Sequence, residues 1–224
     1  KLTHSWREGK SSEGEFLEDY AYYLRGLLDL FQVDPSHEGD AWLQGAIFLA
    51  DNSLSLFLSD EKHFYLRPDG QTDLVIRPRD EFDGAIPAPG SIMIGNLFRL
   101  HRITEKTAYA EAGEAAMAAI SGMLRNRPTG MTAAILALDY YQNDKIEVIV
   151  VGEGPARDAM LKTIYSHYLP NALIALSKDG QTDSPLFENR AVAPGVVRAY
   201  VCRNSVCNLP AETNAELAEQ LDKL

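Results

Sequence analysis

Basic residues are scarce in this chain. Lysine and arginine total 21 against 32 aspartates and glutamates, a formal net charge of -11 over 224 residues. Such a mean field repels phosphate backbones and anionic lipid surfaces, so nucleic acid and membrane partners are disfavoured. Cysteine is scarcer still. Cys202 and Cys207 are the only two, which excludes a disulfide scaffold. A structural zinc site typically takes four ligands, often from paired C-x2-C motifs. Here one C-x4-C pair stands alone, and His4, His37, His63, His101 and His167 show no ligand spacing. No metal and no other cofactor is therefore expected. No uninterrupted apolar run approaches the ~20 residues that span a bilayer, and nothing at the start reads as a basic-then-apolar leader. The expectation is a soluble, cytoplasmic chain. It starts at Lys1, in sequence that already reads as structured, so a piece of a longer protein is expected.

What the chain has is helical periodicity. Apolar residues make up 46%, ample for a packed core. Leu17, Tyr20, Ala21, Leu24, Leu27, Leu28 and Phe31 fall on one stripe of a 3.6-residue period, predicting a helix from near Glu13 to near Gln32. Ser12-Glu13-Gly14-Glu15 has the S-x-x-E spacing of a capping box. Pro35-Ser36 breaks the chain, and a second stripe from Trp42 through Phe57 predicts a helix ending near Ser59. Phe64-Tyr65-Leu66 and Leu74-Val75-Ile76 flank the turn signal Pro68-Asp69-Gly70, so an inserted β-hairpin, a candidate lid, is expected. Further helices are predicted over Ile92–Ile103, from Thr104-Glu105 to about Arg125, and from Met131 to Tyr141.

The pattern then changes. Ile146–Val151 is a β-branched run, followed by a helix over Pro155–His167, strands near Ala172–Leu176 and Val196–Cys202, and a last amphipathic helix over Ala211–Leu224. Strand, helix, strand at this spacing is a βαβ unit. The expected division is a helical-hairpin part, 1–143, and a small α/β subdomain, 144–224. Five consecutive helices cannot close a ring of hairpins by themselves, which again points to a piece of something larger. Gly152-Glu153-Gly154 imitates a dinucleotide fingerprint, but Arg157 stands at the third glycine and no acidic residue ends the next strand. It reads as a tight strand-to-helix turn.

Several motifs, taken in order, carry a resemblance. They are Trp6-Arg7-Glu8-Gly9, Phe16 to Ala21, Asp83-Gly84-Ala85 with Pro87 and Ser91, Asn96-Leu97-Phe98-Arg99-Leu100, Val150-Val151-Gly152, and Tyr200-Val201-Cys202 with Cys207 and Pro210. Together they make the chain similar to the C-terminal part of the YyaL and spermatogenesis-associated protein 20 family. The resemblance implies a mainly α fold, part of an (α/α)6 toroid like those of N-acylglucosamine 2-epimerases and six-hairpin glycosidases. It also implies a preceding thioredoxin-like domain and further toroid helices outside this chain. Two positions depart from the family pattern. Lys62-His63 stands where a glycine pair usually precedes the hairpin aromatics, and Pro87-Ala88-Pro89-Gly90-Ser91 lacks the central serine and the asparagine of P-S-x-N-S. A ligand bound through those polar groups would be held differently or not at all.

The site candidates follow from residue chemistry and from that resemblance. Glu18 and Asp19 are candidate acid, base or sugar-hydroxyl groups, or else simply oppose the helix macrodipole. Adjacent helical carboxylates point about 100° apart, which favours Asp19 as the catalytic group and leaves Glu18 to serve the helix end or the ligand. Tyr20, Tyr22 and Tyr23 are candidate stacking residues for a sugar ring, or else core side chains of the helix. Arg77, Arg79, Asp80 and Asp83 crowd one loop, where an arginine fork could bind a ligand and Asp83 act catalytically, or where they form a solvated cluster. Cys202 and Cys207 are a redox pair or a structural pair. Two functions compete: a toroid that binds or processes a carbohydrate, and a non-catalytic interaction or redox-partner module serving the thioredoxin-like domain. Apolar faces left open by an incomplete ring would favour pairing of two copies.

Overall fold

The computed structural model describes residues 1–12, 14–34, 39–70, 75–182 and 184–224. The first helical hairpin is present as α1 (Leu17–Val33) and α2 (Gly39–Phe57), and the break expected at Pro35-Ser36 lies outside the described residues. The whole α1 stripe is buried, from Leu17 and Tyr20 to Phe31, and each such leucine or phenylalanine contributes about 1.5–3 kcal/mol. The helix starts later than expected because the capping box does not form. Ser12 Oγ accepts from the Ser5 amide at 2.9 Å, and Glu15 takes the Tyr20 hydroxyl at 2.6 Å. The Leu17 amide donates instead to the Leu66 carbonyl at 3.0 Å. Ahead of α1, β1 (Trp6–Arg7) and β2 (Lys10–Ser11) pair as a short antiparallel hairpin.

The β-hairpin expected around Pro68-Asp69-Gly70 does not form among the described residues. Phe64 makes a lone antiparallel bridge to Leu58, the Leu66 amide reaches Pro78 O at 2.9 Å, and Val75 and Ile76 are exposed; Leu74 lies outside the described residues. Pro68 and Pro78 have no amide to give a ladder. The Arg77 side chain instead bonds the carbonyls of Arg67 and Leu56, at 2.7 and 2.8 Å, the second of them in the last turn of α2.

Helices α3 (Pro89–Thr104), α4 (Thr107–Asn126) and α5 (Thr132–Gln142) follow. Helix α3 starts earlier than Ile92, with Pro89 in its first turn, where a missing amide costs nothing. The restart expected at Thr104 falls at Thr107. Thr104 stays in α3 with its hydroxyl on Leu100 O at 2.7 Å, and Glu105 closes the helix in the left-handed region at φ 57°. Asn96, 2% exposed, donates to Ala21 O at 2.8 Å and so ties α3 to α1. Phe98 stacks on Tyr141 at 4.1 Å, joining α3 to α5.

The contacts divide the chain into one unit of Lys1–Leu28 with Gln44–Gln142 and another of Asp29–Leu43 with Asn143–Leu224. In the second, β3 (Ile146–Val151), β4 (Ala172–Ser177), β5 (Arg198–Arg203) and β6 (Val206–Cys207) form a sheet in the order β4-β3-β5-β6. β3 and β4 run parallel through α6 (Pro155–Ser166), the expected βαβ unit, while β5 is antiparallel to both β3 and β6. Met160 and Ile164 of α6 and Leu217 and Leu221 of α7 (Asn214–Leu221) cover one face of the sheet, against Val148 and Val150. Gly152 makes the turn after β3 at φ +125°, and a Cβ there would sit 2.5 Å from Val196 O. Only glycine fits.

The protein is thus mainly α with a small α/β part. Among the described residues no helix is long and apolar enough to cross a membrane.

Candidate functional site

The first turn of α1 presents Glu18 and Asp19, and residues 2–4 cross beside it. Three contacts place that segment. The Leu2 amide donates to Tyr20 Oη at 3.3 Å, the Ser5 and Ser12 pair closes the β1–β2 hairpin, and the His4 ring lies 4.7 Å from the Phe16 ring. His4 Nδ1 then stands 3.1 Å from Asp19 Oδ1, 3.2 Å from Oδ2 and 3.6 Å from Glu18 Oε1. The two carboxylates share one imidazole despite their angular separation on the helix, because the histidine reaches both from outside.

Beside this trio an open cavity of about 490 Å³ is lined by Leu2, Thr3, Glu18, Asp19, Tyr22, Tyr23 and Ile86. Tyr22 donates its hydroxyl to Pro87 O at 2.7 Å. Its pKa is raised by burial first, with Asp83 and Glu18 adding to the effect and Arg25 opposing it. Tyr23 is 54% exposed and leaves its ring open to solvent. Among the described residues, no lysine or arginine lines the cavity.

Tyr20, expected to touch a ligand, lies in the core at 2% exposure. Burial and the Glu15 hydrogen bond push its phenol up to about 12, so it stays protonated and serves to anchor the amino-terminal segment. Arg77 is spent on backbone carbonyls and lies 4.3 Å over the Tyr65 ring. Arg79 faces Glu81 at 3.7 Å, and Glu81 also meets His63 Nδ1 at 3.1 Å. Asp80 is exposed, with a long contact of 3.4 Å from the Phe82 amide.

Asp83 is an anchor. One oxygen accepts from the Ala88 amide at 2.9 Å, and the other from Thr132 Oγ1 at 2.8 Å and the Ala133 amide at 2.9 Å. Burial alone would raise its pKa, but these hydrogen bonds outweigh it and hold the carboxyl below its ordinary range. None of Arg77, Arg79, Asp80 or Asp83 lines the cavity beside Asp19. Cys202 and Cys207 are joined in a disulfide.

Sequence reasoning missed His4. It lies 15 residues before Asp19 in a segment with no helical or ligand spacing, so nothing local signals it. His4, Glu18 and Asp19 are the one group among the described residues whose donor atoms, all within 4.8 Å of one another, could hold a metal ion. The positive end of α1 beneath them opposes a cation and favours the carboxylates as they stand. The chemistry they offer is acceptance of hydroxyl hydrogen bonds and, at Asp19 with His4, proton transfer by an imidazole that a carboxylate orients.

A chain of amphipathic helices ending in a small α/β part, with a carboxylate and tyrosine cavity at its first long helix, defines the class. No protein-family model matches it. Spermatogenesis-associated protein 20 of Homo sapiens is 30% identical over 216 residues, covering 92% of this chain and 27% of that protein. The Mus musculus protein of the same name is 29% identical over the same shares. An uncharacterized protein of Caenorhabditis elegans is 26% identical over 96% of this chain and 30% of its own length. The chain belongs to the spermatogenesis-associated protein 20 and YyaL-like family. It spans about a quarter of the length of these curated relatives.

Proposed function

We propose that the cavity beside α1 binds a neutral carbohydrate, and that the chain is the part of a longer toroidal protein that supplies this wall of the site. The observation that carries the reading is the pairing of Glu18 and Asp19 with Tyr22 and Tyr23 around one open cavity. Carboxylates accept hydrogen bonds from sugar hydroxyls, and apolar and aromatic side chains cover the C–H face of a pyranose. Charge selects the class of ligand. With two carboxylates and, among the described residues, no lysine or arginine lining the cavity, a sugar phosphate or uronate meets repulsion that a neutral sugar does not. Where the protein turns its ligand over, Asp19 and His4 are the proton-transfer pair, with Glu18 holding a hydroxyl.

The test is thermal stabilisation by a panel of neutral mono- and disaccharides, read on the longer protein. At a concentration ten times the dissociation constant, a true ligand stabilises by about 1.4 kcal/mol. Asp19→Asn should lose most of that shift while the unliganded melting temperature stays nearly constant. Equal stabilisation of Asp19→Asn and the parent protein would overturn the reading.

A further inference from the structure

Cys202 and Cys207 stand directly opposite each other on β5 and β6. Cys202 is 1% exposed, while Cys207 lies on the exposed side. A disulfide that only staples two strands has no need of a cation, yet Arg190 is aimed at both sulfurs. Its Nη2 lies 3.4 Å from Cys207 Sγ and 3.8 Å from Cys202 Sγ. The guanidinium sits 5.2 Å over the Tyr200 ring, and Nη1 donates to Leu186 O.

The backbone behind this arginine is held tightly. Gly180, at φ +77°, leaves no room for a Cβ, which would sit 2.6 Å from Arg190 O, and the Val192 amide donates to Asp179 O at 3.0 Å. A neutral disulfide gains little from a fixed guanidinium. A thiolate gains a great deal, and most of all one that would leave on the buried sulfur of Cys202, where an apolar setting alone disfavours charge.

The hairpin that carries the pair has other supports. The Asn204 amide donates to Lys145 O at 2.9 Å, and its side chain accepts from the Lys145 amide at 2.9 Å and donates to Asp144 at 2.8 Å. Arg203 pairs with Asp144. The Asn208 amide bonds Val201 O at 3.0 Å, and Ala199 and Ala211 exchange both of their backbone hydrogen bonds. The strands therefore keep their register when the sulfurs part.

We propose that Cys202–Cys207 is a thiol–disulfide exchange site for an external dithiol, with Arg190 positioned to stabilise the thiolate that leaves. A thiolate of the dithiol attacks the accessible Cys207 Sγ and forms a mixed disulfide. The Cys202–Cys207 bond breaks, and its electron pair leaves on Cys202 Sγ beside Arg190. The second thiol of the dithiol gives its proton to solvent and attacks its own sulfur in the mixed disulfide. That closes the reagent's disulfide and releases Cys207 as a thiolate. Two electrons pass to the protein, the dithiol is oxidised, and the two thiolates take protons from solvent as pH dictates.

The probe is dithiothreitol with the folded protein, followed by iodoacetamide and intact-mass measurement. The expected result is two added carbamidomethyl groups with an unchanged circular dichroism spectrum; labelling that appears only in denaturant overturns the proposal. A second measurement isolates the arginine. In Cys207→Ser the alkylation rate of Cys202 should show a pH midpoint below the ordinary thiol value of about 8.5. Arg190→Gln in that background should slow alkylation at pH 7 about tenfold, the equivalent of about one pKa unit, and Arg190→Lys should recover most of the rate. A Cys202 midpoint in Cys207→Ser at or above the ordinary thiol value, which Arg190→Gln does not move, overturns the role of Arg190.

Discussion

At the scale of single residues, the most informative carboxylates do different work. Asp83 is an anchor: its hydrogen bonds to Ala88, Thr132 and Ala133 join the loop before α3 to the first turn of α5. Asp83→Ala should cost about 1–3 kcal/mol in urea denaturation, since it removes a helix cap and leaves amides unpaired. The pH dependence has a defined sign. Its folded pKa is depressed, so its stabilisation is complete above the unfolded value of about 3.9 and is lost as pH falls through the lower folded value. Asp83→Asn should therefore flatten the acid limb of a melting-temperature profile below about pH 4. Tyr20→Phe removes the oxygen that both accepts from Leu2 and donates to Glu15. About 1 kcal/mol should be lost, with faster amide exchange at Leu2 and a looser His4. The contact of Asp19 is with His4, which the Phe16 ring also holds, so substitution of Asp19 is expected to tell on binding more than on stability.

At the scale of elements, α6 and α7 are pinned by His167, whose Nδ1 lies 2.8 Å from Thr163 O and whose Nε2 lies 3.1 Å from Asp222. The Thr163 carbonyl first and then Asp222 raise its pKa. The stabilisation is full below the unfolded histidine value of about 6.5 and is lost as pH rises through the raised folded value. The protection factor of α7 amides, exchange rates corrected for their intrinsic pH dependence, should therefore fall over that interval in the parent protein and be nearly flat in His167→Gln. Gly152→Ala should be among the most damaging single changes in the sheet, costing upwards of about 2 kcal/mol, because its φ is left-handed and the segment at 196–197 fills the space a Cβ needs. The elements most legible in the sequence are those whose burial is periodic: the α1 stripe, and β3, whose run from Ile146 to Val151 coincides with the observed strand. The misread elements turn on partner choice. Ser12 and Glu15 have the spacing of a capping box, yet their hydroxyl and carboxylate go to Ser5 and Tyr20. The expected β-hairpin yields to the Arg77 side chain, which bonds carbonyls from residues 10 and 21 positions away. Periodicity carries no information about such distant polar partners, and for the same reason Asp19 could be singled out while His4 could not.

At the scale of the molecule, the chain spans about a quarter of its curated relatives, and its net charge of -11 sets the selectivity expected of any site it carries. Anionic sugars should bind more weakly than neutral ones at low ionic strength, and the difference should shrink as salt screens the field. The most direct test of the central claim is a ¹H–¹⁵N correlation titration of the protein with the neutral saccharide that stabilises it best. Saturable shifts are expected at the amides of Leu2, Thr3, Glu18, Asp19, Tyr22 and Tyr23, absent in Asp19→Asn. Shifts that leave those amides still and fall instead within residues 146–221 would contradict the claim.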